Sequence, residues 1–362
     1  MKDIFERLAR HLNEGSAKFP ETKELLEILE IVFKPEQAEY AINLPLTKMG
    51  RIALEDLAKK MGKGIEEVRH TVEAMAKGGT VLASTSRKDG RKYYALWPLF
   101  PGMMESIYAD GIETEQKRRL SKVWEKYYYD AFLRQPASSN YPLLRIIPIN
   151  KKIDSASQVL PFEVASNIVQ NADIITVVHC LCRSVGKKCN HMLEACFYFG
   201  AWADYLIKYK GARNWTKEEA LQRLKECEED GLVHLTGNSQ EGNTVICNCC
   251  PCCCGALRRV VEFHNPLYLA RANFEPRVNQ EECILCLKCQ EICPTEAITE
   301  VPGAEATSSN AKIRVQESQC IGCGLCSAHC PVDAIRIERV RYLLPAQSTS
   351  EMTERHLKEK MR

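Results

Sequence analysis

Cys283-Ile284-Leu285-Cys286-Leu287-Lys288-Cys289-Gln290-Glu291-Ile292-Cys293-Pro294 is echoed further along by Cys320-Ile321-Gly322-Cys323-Gly324-Leu325-Cys326-Ser327-Ala328-His329-Cys330-Pro331. Both copies read C-x2-C-x2-C-x3-C-P. A [4Fe-4S] cubane needs four thiolates at tetrahedral corners. Two-residue gaps let one tight loop deliver three of them, and the fourth comes from farther off. Zinc knuckles use C-x2-C pairs, but not three closely spaced cysteines twice over with a trailing Cys-Pro. The pattern therefore points to iron-sulfur clusters.

Each copy continues with a matching phrase, Pro294-Thr295-Glu296-Ala297-Ile298 and Pro331-Val332-Asp333-Ala334-Ile335. Residues 301–312 read as a small-residue insertion between the halves. From 282 to 337 this internal repeat resembles the bacterial two-cluster ferredoxin domain. In such domains the fourth cysteine of each run serves the other cluster. The resemblance thus implies one cluster on Cys283, Cys286, Cys289 and Cys330, and another on Cys320, Cys323, Cys326 and Cys293. It also implies low-potential electron transfer with no open iron position at either cubane.

The chain has 19 cysteines, and none precedes Cys180. Eleven lie outside the repeat. Cys180, Cys182, Cys189 and Cys196 supply four soft ligands within a short span. A third [4Fe-4S] cluster is the favoured reading, with structural zinc the alternative. Arg183 can donate to a cluster sulfide, and Lys187 and Lys188 can offset thiolate charge. Cys247, Cys249, Cys250, Cys252, Cys253 and Cys254 then crowd into eight residues. Neighbouring side chains on an extended chain point opposite ways, so these six cannot all serve one cubane. Some are expected at a further centre, and some reaching back toward the Cys180 set. His179 is the leading non-cysteine ligand, against a plain hydrogen-bonding role. Cys227, mid-helix, reads as a buried thiol.

The expected fold is α+β and multidomain. Residues 1–100 read as a winged-helix-like domain, with helices around Leu54–Met61 and Ile65–Met75 followed by a hairpin over 80–96 with Asp89-Gly90 at its turn. Its second helix carries Glu66, Glu67 and Glu73, which is acidic for a DNA reader, whereas Arg87, Lys88, Arg91 and Lys92 make the hairpin basic. Residues 101–140 form a helical bridge ending in a linker over 136–140. A cysteine-rich α+β middle domain spans 141–270, with helices over 161–170, 193–209 and 216–229, the last opened by a Thr216/Glu219 capping box. The two-cluster ferredoxin fold takes 271–345, and a tail runs from 346 to 362. The helix, glycine and strand around Gly231 resemble a second, reduced winged-helix unit.

Apolar residues form 45% of the chain and charged residues 27%, enough for packed cores rather than disorder. The N-terminus is charged, with no secretory core, and no stretch is long and apolar enough to span a membrane. A reducing cytoplasm is the expected location, where a disulfide framework is not. The formal charge is +2. Each cubane on four thiolates adds about two negative charges, so the bare-chain value does not describe the loaded surface. There is no G-x-G-x-x-G phosphate loop and no diagnostic nucleophile–base pair, so no catalytic residue is assigned.

In combination the chain resembles multi-cluster 4Fe-4S proteins of anaerobic microbes. The resemblance implies an electron-transfer protein, with at least two and up to four [4Fe-4S] clusters. Its expected partner is a protein, such as the catalytic subunit of an oxidoreductase complex. Two alternatives stay open: a redox-sensing winged-helix regulator that contacts nucleic acid, and an enzyme with an open iron site in the middle domain.

Overall fold

The computed structural model describes residues 2–15, 17–47, 49–86, 88–135, 139–149, 159–301 and 312–359. The expectations placed on Arg87, on most of the 301–312 insertion and on the start of the 136–140 linker lie outside these residues. The chain divides into two units. One comprises 1–135, 176–187 and 198–214, and the other comprises 136–175, 188–197 and 215–362.

The first unit opens with three helices, Lys2–Leu12, Lys23–Val32 and Pro35–Asn43. Thr22 caps the second by accepting from the Leu25 N–H at 3.3 Å, and Leu25, Ile28 and Leu29 form its buried stripe. Helices Leu54–Met61 and Ile65–Gly78 follow, each stopped by a glycine at positive φ, Gly62 and Gly79. Strands Val81–Thr85 and Lys92–Leu96 then pair antiparallel, and the short strand Ile52–Ala53 adds to the free side of the second. Here the helix, helix and hairpin form where the sequence predicts. The aromatic bridge packs inside this unit: Phe100 meets Tyr128 edge-on at 5.4 Å, and Trp97 lies 4.7 Å from Trp202.

In the second unit, strands Val245–Cys249, Val233–Gly237, Leu144–Ile147 and Leu269–Ala270 are neighbours in that order, and strand Glu194–Phe199, whose residues 194–197 belong to this unit, borders the first of them. Val233–Gly237 pairs antiparallel with both neighbours, and Leu144–Ile147 pairs parallel with Leu269–Ala270. The helix and strand around Gly231 are therefore built into the middle of a larger sheet, not into a separate small unit. Thr216 and Glu219 do close a capping box on helix Lys217–Glu229.

Two helix assignments need correction. Residues 193–209 are not one helix: Glu194–Phe199 is a strand, and only Gly200–Lys210 is helical. The strand is buried along nearly its whole length, so it lacks the alternation that marks a half-buried strand. Its Phe197, Tyr198 and Phe199 suit a pleated surface, and Gly200 at φ +59 turns the chain into the helix. Within 161–170, Pro161–Glu163 is a 3-10 turn, Val164 is extended, and the helix is only Ala165–Gln170.

Residues 274–339 of this unit form two antiparallel ribbons and two one-turn helices, and beyond them the expected tail contains the helix Thr349–Lys358, capped by Ser348. Phe274–Val278 pairs with Ile335–Arg339, and Ile298–Val301 pairs with Lys312–Val315. Lys288–Glu291 and Leu325–Ala328 are the helices, one in each half of the repeat. No helix is long and apolar enough to cross a membrane among the described residues.

Candidate metal centres

The two halves of the repeat fold alike down to the backbone. Left-handed residues recur at equivalent positions: Leu285 and Gly322, Leu287 and Gly324, Glu296 and Asp333. Such turns aim successive N–H groups into a concavity that suits an anionic sulfur cage. The Gly322 and Leu325 N–H groups lie toward the sulfurs of Cys320 and Cys323, and the Ala297 N–H donates to Cys293 Sγ at 3.3 Å.

Cys293, although in the first run, lies close enough to act on thiols of the second. It is among the charges acting on Cys320, Cys323 and Cys326. Cys289 feels Cys283 and Cys286, and it too is among the charges acting on Cys326. Cys330 packs with Cys283, Leu285, Leu287 and Cys293 around one small apolar core that contains Cys289 and Cys326. Burial pushes the Cys320 thiol up to about 11 and the Cys323 thiol up to about 12, and raises Cys326 as well. Thiols held this way ionise when a cationic core compensates them, which fits a cluster site. None of the cysteines is in a disulfide.

The halves differ in exposure. Cys320, Cys323 and Cys326 are buried, whereas Cys286 is exposed and its neighbour Ile284 is 62% exposed. Cys323, Ile321 and Leu325 join one apolar core with Cys249, Cys254 and Leu257 of the middle segment. The second half thus packs into the core that holds Cys249 and Cys254, a core that Ile292 of the otherwise more exposed first half borders as well.

The middle cysteines sort into two groups. Strand alternation puts Cys247 and Cys249 on the face opposite Asn248. Asn248 Nδ2 donates to the Ala195 carbonyl at 2.7 Å, and its Oδ1 lies 2.5 Å from His234 Nδ1. His234 in turn approaches Glu228 at 3.2 Å. This buried polar network fixes the strand that carries the thiols. Cys249 neighbours Cys247 and Cys254, and these contacts, with burial, push its thiol up. Nothing in the sequence pattern marked His234 or Asn248, because they meet each other across two strands and Asn248 reaches Ala195 on a third.

The second group joins distant residues. Cys189, Cys250, Cys252 and Cys253 bring their four Sγ atoms within 4.8 Å of one another. Burial, with Cys250 and Cys189 alongside, pushes Cys252 up to about 12. Cys250 and burial also raise Cys253, while the Lys188 backbone N–H opposes them.

The remaining candidates are not members of this four-sulfur group. Cys180 is the buried N-cap of helix Leu181–Gly186 and Cys182 lies half-buried in its first turn. Cys196 is buried within its strand. The His179 ring stands over Gly111, where an added Cβ would come within 2.5 Å of Nδ1. Cys227 is fully buried, and its thiol donates to Met192 Sδ at 3.5 Å.

The family of the 4Fe-4S dicluster domain matches residues 276–337. The match contains both cysteine runs and the whole of the ribbon formed by Ile298–Val301 and Lys312–Val315. No curated protein matches the chain. A ferredoxin-type 4Fe-4S domain therefore forms its C-terminal part.

Proposed function

We propose that this protein is an electron carrier that works with a protein redox partner. Two ferredoxin-type cubanes form its outer stage, and a centre on Cys247, Cys249 and Cys254 forms its inner stage. The carrying observation is the presence of two complete cysteine sets of unequal exposure, one with Cys286 exposed and the other with three of its four cysteines buried. Cys283, Cys286, Cys289 and Cys330 would hold a solvent-facing cluster, and Cys320, Cys323, Cys326 and Cys293 a buried one. The clusters supply one-electron capacity. The chain's own residues hold them, donate N–H groups to sulfur and exclude water from the second, which tunes its potential.

Cys247, Cys249 and Cys254 are the proposed thiolates of a further centre, next along from the buried cubane. They share its apolar wall through Cys323 and Leu325. An oxidoreductase catalytic subunit suits such a carrier as partner. A cytoplasmic setting, in which thiols stay reduced, suits it as well.

The regulator reading is disfavoured by its own basic hairpin. Arg91 pairs with Glu55 at 2.9 Å and Asp56 at 3.3 Å, and Lys92 pairs with Glu73 at 2.5 Å. These cations are engaged inside the domain rather than held out for phosphates.

The test is strictly anaerobic purification, with iron and sulfide quantitation and EPR of the reduced protein. Intact ferredoxin sites require about 8 iron and 8 sulfide per chain, with spin-coupled signals. Cys293→Ser is expected to perturb the signal that Cys320→Ser perturbs, and Cys330→Ser the signal that Cys286→Ser perturbs. Fewer than about 4 iron per chain in intact protein sinks the reading.

A further inference from the structure

The four thiols of Cys189, Cys250, Cys252 and Cys253 stand much closer together than a cubane requires. Cys189 Sγ is 3.8 Å from both Cys250 Sγ and Cys253 Sγ, and Cys252 Sγ is 3.8 Å from Cys253 Sγ. Four sulfurs bound tetrahedrally to one zinc at about 2.3 Å are separated along each edge by about 3.8 Å. A cubane places each thiolate on a different iron, which spreads the four sulfurs to roughly 6 Å. A two-iron cluster needs two close pairs set well apart, and here every pair falls within 4.8 Å. A disulfide is far shorter, at about 2.05 Å.

The molecule carries its own comparison. Among the described residues, no three of the eight ferredoxin cysteines gather within this limit, whereas the Cys189 group does with all four members. The two kinds of site are thus distinguished within one structure by sulfur spacing alone.

The chain geometry suits a closed single-ion site. Cys250-Pro251-Cys252-Cys253 is a turn, closed by the Cys254 N–H donating to the Cys250 carbonyl at 3.1 Å. It wraps three thiols around one point, and Cys189 arrives from a segment far away in sequence. The Lys188 backbone N–H lies toward Cys253 Sγ, the kind of N–H···S bond that offsets thiolate charge. Four thiolates leave no position for water or substrate, the mark of a structural rather than a catalytic ion. A tetrahedral all-sulfur set suits zinc, which binds such ligands more tightly than ferrous iron.

We infer that Cys189, Cys250, Cys252 and Cys253 form a structural zinc site that clips the 188–197 segment to the 250–254 turn. The ion is redox-inert and lies off the electron path. It holds the turn from which Cys249 and Cys254 extend on either side, and so fixes the thiols proposed for the inner centre. The electron-carrier reading can fail without this inference failing, because zinc and iron are counted separately.

The test is metal analysis and zinc K-edge absorption spectroscopy on the full-length, anaerobically purified protein. The expected result is one zinc per chain with four sulfur neighbours at about 2.3 Å. Cys189→Ser and Cys253→Ser are expected to lose that zinc while the iron, the sulfide and the EPR of the ferredoxin clusters stay as in the parent. The parent measurement stands if either variant fails to fold. Protein without zinc overturns the inference. So does iron, with or without sulfide, that is lost from Cys189→Ser.

Discussion

A single carbon separates the tolerances of the two halves of the repeat. Leu285 and Gly322 occupy the same left-handed position, at φ 54 and φ 73. An added Cβ at Gly322 would overlap the Phe274 carbonyl oxygen and come within 2.9 Å of the Ala272 Cβ. Glycine is therefore required in the second half, where the loop is pressed against the ribbon behind it. The first half accepts leucine, which lies half-buried against the small core around Cys289, at an ordinary left-handed penalty of about 1–2 kcal/mol. Gly322→Ala is expected to lower iron occupancy of the Cys320 cluster to about half or less, since backbone must move to admit it. Leu285→Gly should leave both clusters in place. Iron and sulfide analysis with EPR reads both outcomes, and full occupancy in Gly322→Ala would contradict the packing argument. The sequence shows the leucine–glycine difference, but not the carbonyl behind it.

Between elements, one buried ion pair ties the ferredoxin ribbon to the turn before the middle helix. Arg339, at the end of Ile335–Arg339, pairs with Glu163 of Pro161–Glu163, and both side chains are almost fully buried. Asn273 Nδ2 also donates to Glu163 at 2.8 Å, and the Arg339 guanidinium lies 4.6 Å from the Phe274 ring. Removing one partner strands a buried charge, so Arg339→Met should destabilise the unit by about 3–5 kcal/mol. A Glu163→Leu/Arg339→Met double variant should recover much of that loss. Anaerobic urea unfolding, followed by cluster absorbance, measures the two midpoints. Equal midpoints for single and double variants would deny the coupling. Elements whose signals are local were readable in the sequence. The Thr216 cap, the glycine-stopped helices and the Asp89-Gly90 hairpin all follow from neighbours a few residues apart. Glu194–Phe199 was not, because burial on both faces erases the period that separates strand from helix. The pairing of Glu163 with Arg339 across the chain left no local trace either.

Over the whole molecule, the cysteine inventory was legible and its partition only partly so. The ferredoxin runs carry their own spacing rule. The middle cysteines do not: the sequence leads one to expect some of residues 247–254 to reach back toward the Cys180 set, but that Cys189 is the member met by Cys250, Cys252 and Cys253 is decided by the fold. The same topology gives the proposed clusters an order by depth, with Cys286 exposed and Cys326 buried. Depth controls access of water and chelators to iron, so the two cubanes should not be lost together. An iron chelator added to the oxidised protein is expected to remove about 4 iron in a fast phase and about 4 in a slower one. Cys286→Ser should abolish the fast phase by emptying that site beforehand, while Cys326→Ser should abolish the slow one. The rates follow from chelator absorbance. A single phase that releases all the iron at once would mean that the halves open as one cooperative unit, with the exposure difference irrelevant to cluster access.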